Sequence, residues 1–425
     1  MKILQLGKFY PPDMGGIERA MGDIVEGMNE RGVICDVLCS NSRAKFSLDI
    51  THSRARIYRT KSFGKIARTS ITPQMIFFLR NFISAYNIIH IHLPDPMANL
   101  ALFCTNLDSK IVILHWHADI TKQKYLLQFY KPLQTWLLKR ADAIITTSPK
   151  YLAQSPFLQE YKAKCHTIPL GIQTPKTTKR KTLGKQITLF ALGRFVEYKG
   201  FEYAIRALAF LGENFVLMLG GSGELDTHLK NLVKTLNLQA KVLFLGHIDF
   251  ENTHKYYEKA DIFLLPSISK NESFGIVQIE AMAHSVPVVS CAIKGSGVDW
   301  VNQHNYSGIV VPPKDPKAIA QAVQTIANNY DFFAINAKMH FQQYFKVETM
   351  IDTLYSLYTK TICNARGGGD RLCFCQAISH ISPSILTPSH LFHTTSSFFS
   401  KGGLCRLESH LSQPPLTRKE LSHIH

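Results

Sequence analysis

Residues 266–290 read PSISKNESFGIVQIEAMAHSVPVVS, and this stretch decides the fold. The apolar run IFLLP (262–266) before it and VPVVS (286–290) within it are short and bounded by turn residues, as buried strands are. Between them GIVQIEAMAH carries apolar and small residues at helical spacing, so the unit is strand, loop, helix, strand. The helix starts near Gly275, where free backbone N–H groups and the helix dipole favour a phosphate. Glu272 falls in the loop outside that terminus and Glu280 along the helix, about 9 Å beyond Phe274 at the helical rise. Two carboxylates so placed suit hydroxyls on either side of a diphosphate, the layout of a nucleotide-sugar.

Outward from this unit, strand and helix signals alternate. Strands are expected at 2–7, 33–40, 56–60, 87–92, 110–117 and 143–148, with helices at about 17–30, 73–86, 96–106 and 122–140. The polar, basic segment 174–186 (TPKTTKRKTLGKQ) interrupts the rhythm as a linker. The rhythm restarts with strands at 187–193, 215–221 and 241–246 and helices over 200–211, 224–236 and 251–260. Helices at 315–345 and a last amphipathic one at 348–362 follow. The expected architecture is α/β: two Rossmann-like, doubly wound parallel sheets facing across a cleft. The boundaries are 1–173, a linker at 174–186, 187–345, and a helix at 346–362 crossing back to the first domain. Residues 363–425 are rich in Ser, His, Gly and Pro and read as a disordered or aberrant tail. Cys373, Cys375, His380 and Cys405 within it lack the paired spacing of a zinc site.

At 425 residues the chain exceeds one ordinary core. The opening MKILQLGKFYPP reads as a first strand rather than a signal peptide, and no window approaches a membrane span. Nine cysteines form no closely spaced framework before residue 363, which suits free thiols in a reducing cytoplasm. The net charge of +17 is concentrated in residues 1–180, which carry +13. Residues 43–80 hold Arg43, Lys45, Arg54, Arg56, Arg59, Lys61, Lys65, Arg68 and Arg80 against one acid, Asp49. Such a patch suits an anionic lipid surface or a phosphate-bearing acceptor, and no nucleic-acid motif accompanies it.

Three glycine loops follow expected strands: Gly15-Gly16-Ile17-Glu18, Gly193 to Gly200, and Gly220 to Gly223. None matches the dinucleotide fingerprint or the P-loop, which argues against nicotinamide enzymes and P-loop kinases. In the second loop Arg194 and Lys199 stand where they would neutralise a diphosphate leaving group. His117, at the end of an expected strand, faces the cleft in this reading, with Asp119 orienting its ring or capping the next helix.

Taken in order, GGIE (15–18), WHAD (116–119), IPLGI (168–172), GRFVEYKG (193–200), GGSGE (220–224), LGHI (245–248), LLPS (264–267) and ESFGIVQIEAMA (272–283) resemble the retaining glycosyltransferases of family 4, with the GT-B fold, over about residues 1–362. The resemblance implies a catalytic role for His117 at the hexose and for Glu272. It also implies donor binding by Gly15, Gly16, Arg194, Lys199, the backbone at Phe274 and Gly275, and Glu280 at the ribose. No cofactor or metal is expected, since no Asp-x-Asp motif is present. WHADITKQK (116–124), YKPLQ (130–134) and ADAIITTSPKYL (141–152) most resemble bacterial polysaccharide and O-antigen mannosyltransferases. That implies transfer of mannose from GDP-mannose to a lipid-linked saccharide at the inner face of the cytoplasmic membrane, by a peripheral protein using the 43–80 region. The alternatives are a UDP-sugar donor, a nucleotide-sugar 2-epimerase, and a non-catalytic nucleotide-sugar-binding scaffold.

Overall fold

The computed structural model describes residues 1–13, 15–66, 69–120, 124–175 and 182–365; side chains are described outside 124–126. Much of the 174–186 linker, Arg68, and the tail with Cys373, Cys375, His380 and Cys405 lie outside the described residues.

The first domain carries β1 (Lys2–Gly7), β2 (Ile34–Ser40), β3 (Ser47–Ile50), β4 (Arg56–Thr60), the small pair β5 (Lys65–Ile66) and β6 (Thr69–Ser70), β7 (Ile88–Leu93), β8 (Ile111–Trp116), β9 (Ala143–Thr146) and β10 (Cys165–Thr167). Eight of these form one sheet in the order β10-β9-β8-β7-β1-β2-β4-β3. It is parallel except at β3, which runs antiparallel to β4. Its helices are α1 (Gly16–Glu30), α2 (Gln74–Phe82), α3 (Pro96–Phe103), α4 (Lys124–Arg140) and α5 (Pro149–Gln154). The central strands are buried on both faces, which is why their sequences read as continuous apolar runs. Ala20, Met21, Ile24, Val25 and Met28 form the buried stripe of α1 at the period of a helix face.

The second domain has a six-stranded parallel sheet in the order β13-β12-β11-β14-β15-β16. These are β11 (Ile187–Leu192), β12 (Phe215–Gly220), β13 (Val242–Gly246), β14 (Ile262–Leu265), β15 (Val288–Cys291) and β16 (Gly308–Val311). Around it run α6 (Phe201–Ala207), α7 (Asp226–Thr235), α8 (Thr253–Tyr257), α9 (Ile276–Ala283), α10 (Val298–Val301), α11 (Pro316–Asn328) and α12 (Tyr330–Tyr344). The strand order reverses direction at β11/β14, so the loops after those two strands flank the crevice where such sheets bind ligands.

The last helix, α13 (Val347–Ala365), returns to the first domain and runs three residues past the expected end at 362. It packs along α1, where Gly27 leaves room for Ile351: a Cβ there would sit 2.8 Å from Ile351 Cγ1. Arg31 Nη2 bonds Asp352 Oδ1 at 2.6 Å. The two chain crossings between the domains are joined to each other. Ile172 N–H donates to Phe345 O and Val347 N–H to Ile172 O, both at 2.9 Å. A Cβ at Gly171 would lie 2.5 Å from Lys346 O, so only glycine lets the crossings approach this closely. Among the described residues Cys35, Cys39, Cys104, Cys165 and Cys291 are free thiols.

Candidate functional site

The loop from β14 to α9 is built as its sequence suggests. Gly275 caps α9 in the left-handed region at φ +73°, and Leu265 Cδ2 lies 2.7 Å from where a Cβ would stand. Glu272 sits in the preceding loop, 9 % exposed, and Glu280 one face along the helix, 8 % exposed. Phe274 is buried and packs edge-on against Phe345, so only its backbone is available to a ligand.

The loop after β11 turns back against this one. Gly200 takes φ +65°, with Pro266 O only 2.2 Å from a Cβ position, and Ile268 N–H bonds Tyr198 O at 2.8 Å. This close approach brings Lys199 Nζ to 2.6 Å from Glu272 Oε2, which also accepts from Ser267 Oγ at 3.1 Å. Burial pushes Lys199 down, but Glu272, Tyr198 and the hydrogen bond outweigh it and hold the ammonium above its ordinary value. Arg194 lies exposed at the mouth of the same loop.

Glu280 has both carboxylate oxygens occupied. Arg19, reaching across from α1, donates to Oε1, and Tyr257 O–H donates to Oε2 at 2.6 Å. The Arg19 guanidinium also stacks 4.2 Å from the Phe250 ring centroid. Asp23, one turn from Arg19, is pushed up to about 6 by burial; Arg19 draws it down and Glu280 raises it. These groups border a cavity of about 720 Å³ between the domains, a size that suits a small-molecule ligand. On the same side Gly16 faces the start of α9, with Ile276 Cγ2 4.0 Å from a Cβ position, and Gly15 leaves space that the Glu18 carboxylate fills.

His117, expected at a strand end facing the cleft, lies just past β8. It is 4 % exposed and belongs to a stack of four histidines, His90 and His92 on β7, His115 on β8 and His117 one residue past its end. Burial pushes His90 and His117 down to about 3 and His92 and His115 well below their ordinary value, so all four are neutral. Asp119 does not orient the imidazole: it accepts from Trp116 Nε1 and Ser155 Oγ, both at 2.9 Å, and so fixes the segment rather than the ring. His90, His92 and His115 each offer a nitrogen within 4.8 Å of the others. His92 spends both nitrogens on hydrogen bonds to His117 and Gln5, which argues against ligation by that trio.

The 43–80 region is part surface and part core. Arg43, Lys45, Arg54, Arg56, Lys61, Lys65 and Arg80 are exposed. Arg59 is not: it is 7 % exposed and bonds Tyr10 O, Pro11 O and Asp49 Oδ2, because its strand position points into the loop after β1. The strand β3, unexpected from the sequence, adds exposed Leu48 and Ile50 to this edge. Phe46, Phe78, Phe82 and Tyr58 stack beside it, with Phe46–Phe78 centroids at 4.9 Å and Tyr58–Phe82 at 5.6 Å. Among the described residues no helix is long and apolar enough to cross a membrane.

Sequence reading missed Arg19, Phe250, Tyr257 and the three partner histidines. The H-x-H spacing at 90/92 and 115/117 puts each pair on one strand face, a signal that was visible.

Two family models match in tandem, Glycosyltransferase Family 4 over residues 14–176 and Glycosyl transferases group 1 over 174–344. The chain is 29 % identical to the O-antigen chain mannosyltransferase C of Escherichia coli, over 84 % of this chain and 98 % of that protein. It is 28 % identical to the D-rhamnosyltransferase WbpZ of Pseudomonas aeruginosa, over 76 % of this chain and 86 % of that one. Among solved structures, sucrose-phosphate synthase from Thermosynechococcus elongatus superposes with a TM-score of 0.71 at 21 % identity, covering 85 % of this chain and 99 % of its own. HepE of Anabaena in complex with UDP gives 0.69 at 20 % identity, covering 85 % and 100 %. These two likenesses establish the two-domain Rossmann-like fold.

Proposed function

Because the chain belongs to the family 4 glycosyltransferases with the GT-B fold, we propose that it is a retaining, metal-independent hexosyltransferase of cell-surface polysaccharide synthesis. In this reading it moves mannose from GDP-mannose to a lipid-linked saccharide. The observation that carries it is the Lys199–Glu272 pair at the start of α9 with Glu280 along the same helix. The O-antigen chain mannosyltransferase among the relatives supports a mannosyl residue and the pathway class, while the D-rhamnosyltransferase names a different sugar.

The residues then divide the work. Lys199, Arg194 and the free N–H groups at the start of α9 face the diphosphate and neutralise charge that builds on it as the sugar departs. Glu272, held by Lys199 and Ser267, is oriented to accept hydrogen bonds from sugar hydroxyls rather than to attack. Glu280 meets the ribose once Arg19 yields or shares its oxygen. His117, neutral, meets a hydroxyl of the hexose. The acceptor attacks from the face the diphosphate leaves, and a diphosphate oxygen takes its proton. The exposed lysines and arginines of 43–80, with Phe46, Leu48 and Ile50 between them, suit adsorption to an anionic membrane where a lipid-linked acceptor resides.

The test is binding followed by turnover. GDP, UDP, GDP-mannose, UDP-glucose and UDP-N-acetylglucosamine are compared by thermal shift, then the stabilising donor is incubated with polyprenyl-diphosphate-linked saccharides and the product anomer read by NMR. Stabilisation by guanine ligands and an α-linked product are expected. A preference for uridine ligands overturns the donor, epimerisation without transfer overturns the reaction, and binding without any turnover makes the protein a scaffold.

A further inference from the structure

His117 ends a continuous buried hydrogen-bonded chain that starts on the last helix. His117 Nε2 lies 2.9 Å from His92 Nδ1, and His92 Nε2 lies 2.9 Å from Gln5 Oε1. Gln5 Nε2 lies 3.5 Å from Tyr358 Oη, and Tyr358 Oη contacts His90 Nδ1 at 2.5 Å. Three strands and the last helix take part: Gln5 on β1, His90 and His92 on β7, His117 just past the end of β8, and Tyr358 on α13. All five side chains are buried, with Gln5, His90 and Tyr358 at 0 % exposure, so water cannot substitute for a missing partner.

Each link fixes the next proton. The Gln5 oxygen only accepts, so His92 carries its proton on Nε2. Its Nδ1 is then the bare acceptor, and His117 must donate from Nε2. His117 Nδ1 is left as a lone pair that takes no hydrogen bond among the described residues. At the other end Gln5 Nε2–H points at the Tyr358 oxygen, which frees the phenolic proton for His90 Nδ1. Turning the Gln5 amide over reverses every step up to His117, so the amide orientation sets which nitrogen of His117 is bare. Cys35 Sγ, 3.6 Å from Gln5 Nε2, is a second weak acceptor that favours the same orientation.

We propose that Gln5 and Tyr358 are positioning residues that lock His117 in the Nε2–H tautomer, so that it presents a hydrogen-bond acceptor at Nδ1 to a hydroxyl of the transferred sugar. The last helix thereby sets the proton pattern at the sugar site as well as bracing the first domain. The acceptor role rests on the reading of His117 as a hexose contact; the tautomer lock does not.

The experiment reads the tautomer directly. Long-range ¹H–¹⁵N correlation spectra of the full chain, labelled at histidine, are recorded for the wild type, Gln5→Met and Tyr358→Phe, with His117 assigned by its loss in His117→Asn. The wild type is expected to show His117 wholly as Nε2–H. Gln5→Met, which frees His92 to turn its proton toward His117, is expected to show a mixture or the Nδ1–H form. Tyr358→Phe, which keeps the helix packing, is expected to introduce a measurable Nδ1–H fraction and carries the test if Gln5→Met does not fold. Parallel kinetics are expected to show kcat down about 10-fold, with donor KM within about 2-fold, in proportion to the Nδ1–H fraction. A wild-type Nδ1–H tautomer, or no change in either variant, overturns the proposal. Full turnover in His117→Ala would instead remove the hexose contact and leave the tautomer result standing.

Discussion

Replacing Lys199 by Met removes one member of a nearly enclosed ion pair while keeping most of the side-chain bulk. Lys199 and Glu272 expose only 12 % and 11 % of their side chains, and their charged atoms are 2.6 Å apart. With the ammonium gone, the Glu272 carboxylate keeps a single side-chain hydrogen bond among the described residues, from Ser267 at 3.1 Å. Leaving a buried charge without its partner costs about 3–5 kcal/mol, and the residual hydrogen bond and cleft access place this case near about 3 kcal/mol. In a domain of this size each kcal/mol moves the melting temperature by about 2–4 °C. Calorimetry of the full chain should therefore show the second-domain transition lowered by about 6–12 °C in Lys199→Met. Adding Glu272→Gln removes the stranded charge and should restore most of that loss, a coupling that a double-mutant cycle isolates. Activity should be lost in both, because the diphosphate loses its ammonium. A single variant melting within about 2 °C of wild type, or a double variant no better than the single, refutes the account of the pair.

Asp23 supplies a pH test. Burial raises its folded carboxyl to about 6, so the folded chain holds a proton that the unfolded chain has already released near pH 4. Stability from this group therefore falls as pH rises from about 4 to about 6 and is flat above. Asp23→Asn should flatten that slope and melt higher than wild type at pH 7, by about 1–2 kcal/mol after discount for its Arg19 partner; an unchanged slope between pH 4 and 6 sinks the assignment. Glycine positions give a matched pair. Gly200 and Gly246 both have positive φ, +65° and +69°, but a Cβ meets Pro266 O at 2.2 Å in the first and nothing within 4 Å in the second. Gly246→Ala should cost about 1 kcal/mol of strain and Gly200→Ala about 3 kcal/mol or more by chemical denaturation; equal costs would mean the two loops do not touch.

Most of the parallel strands were legible because burial on both faces leaves no polar alternation to confuse them, as in NIIHIH and IFLLP, while the short sheet-edge strands β10 (Cys165–Thr167) and β16 (Gly308–Val311) were not expected. The strand β3 was not: SLDI is short, lies at an edge, and is exposed at three of its four positions. Lys199, Glu272 and Glu280 could be picked out because they stand at strand ends or on a helix whose start glycine marks. Arg19 could not. It is one cation in a helix, and its partner Glu280 is 261 residues away, so only the docking of the two domains joins them. The histidine stack shows the same limit at shorter range. Each H-x-H pair announces a shared face, but that His92 stands opposite His115 depends on the β7–β8 register, which no local pattern encodes. Asp119 failed as an imidazole partner for a related reason: the nearer donors in space, Trp116 Nε1 and Ser155 Oγ, claim it first.

The bonded crossings at Ile172 and Phe345–Val347 have a mechanical consequence. Two covalent connections that ran apart would let the domains twist or slide independently at each. Stitched side by side, they act as one pivot, and relative motion reduces to rotation about it. Displacement then grows with distance from the pivot, as along a lever. Such a rotation would leave the backbone at Gly171 nearly still and change the gap between Gly16 and Ile276 with the angle. Arg19, bridging to Glu280 away from the pivot, would act as a catch on that rotation, which a ligand competing for Glu280 would release.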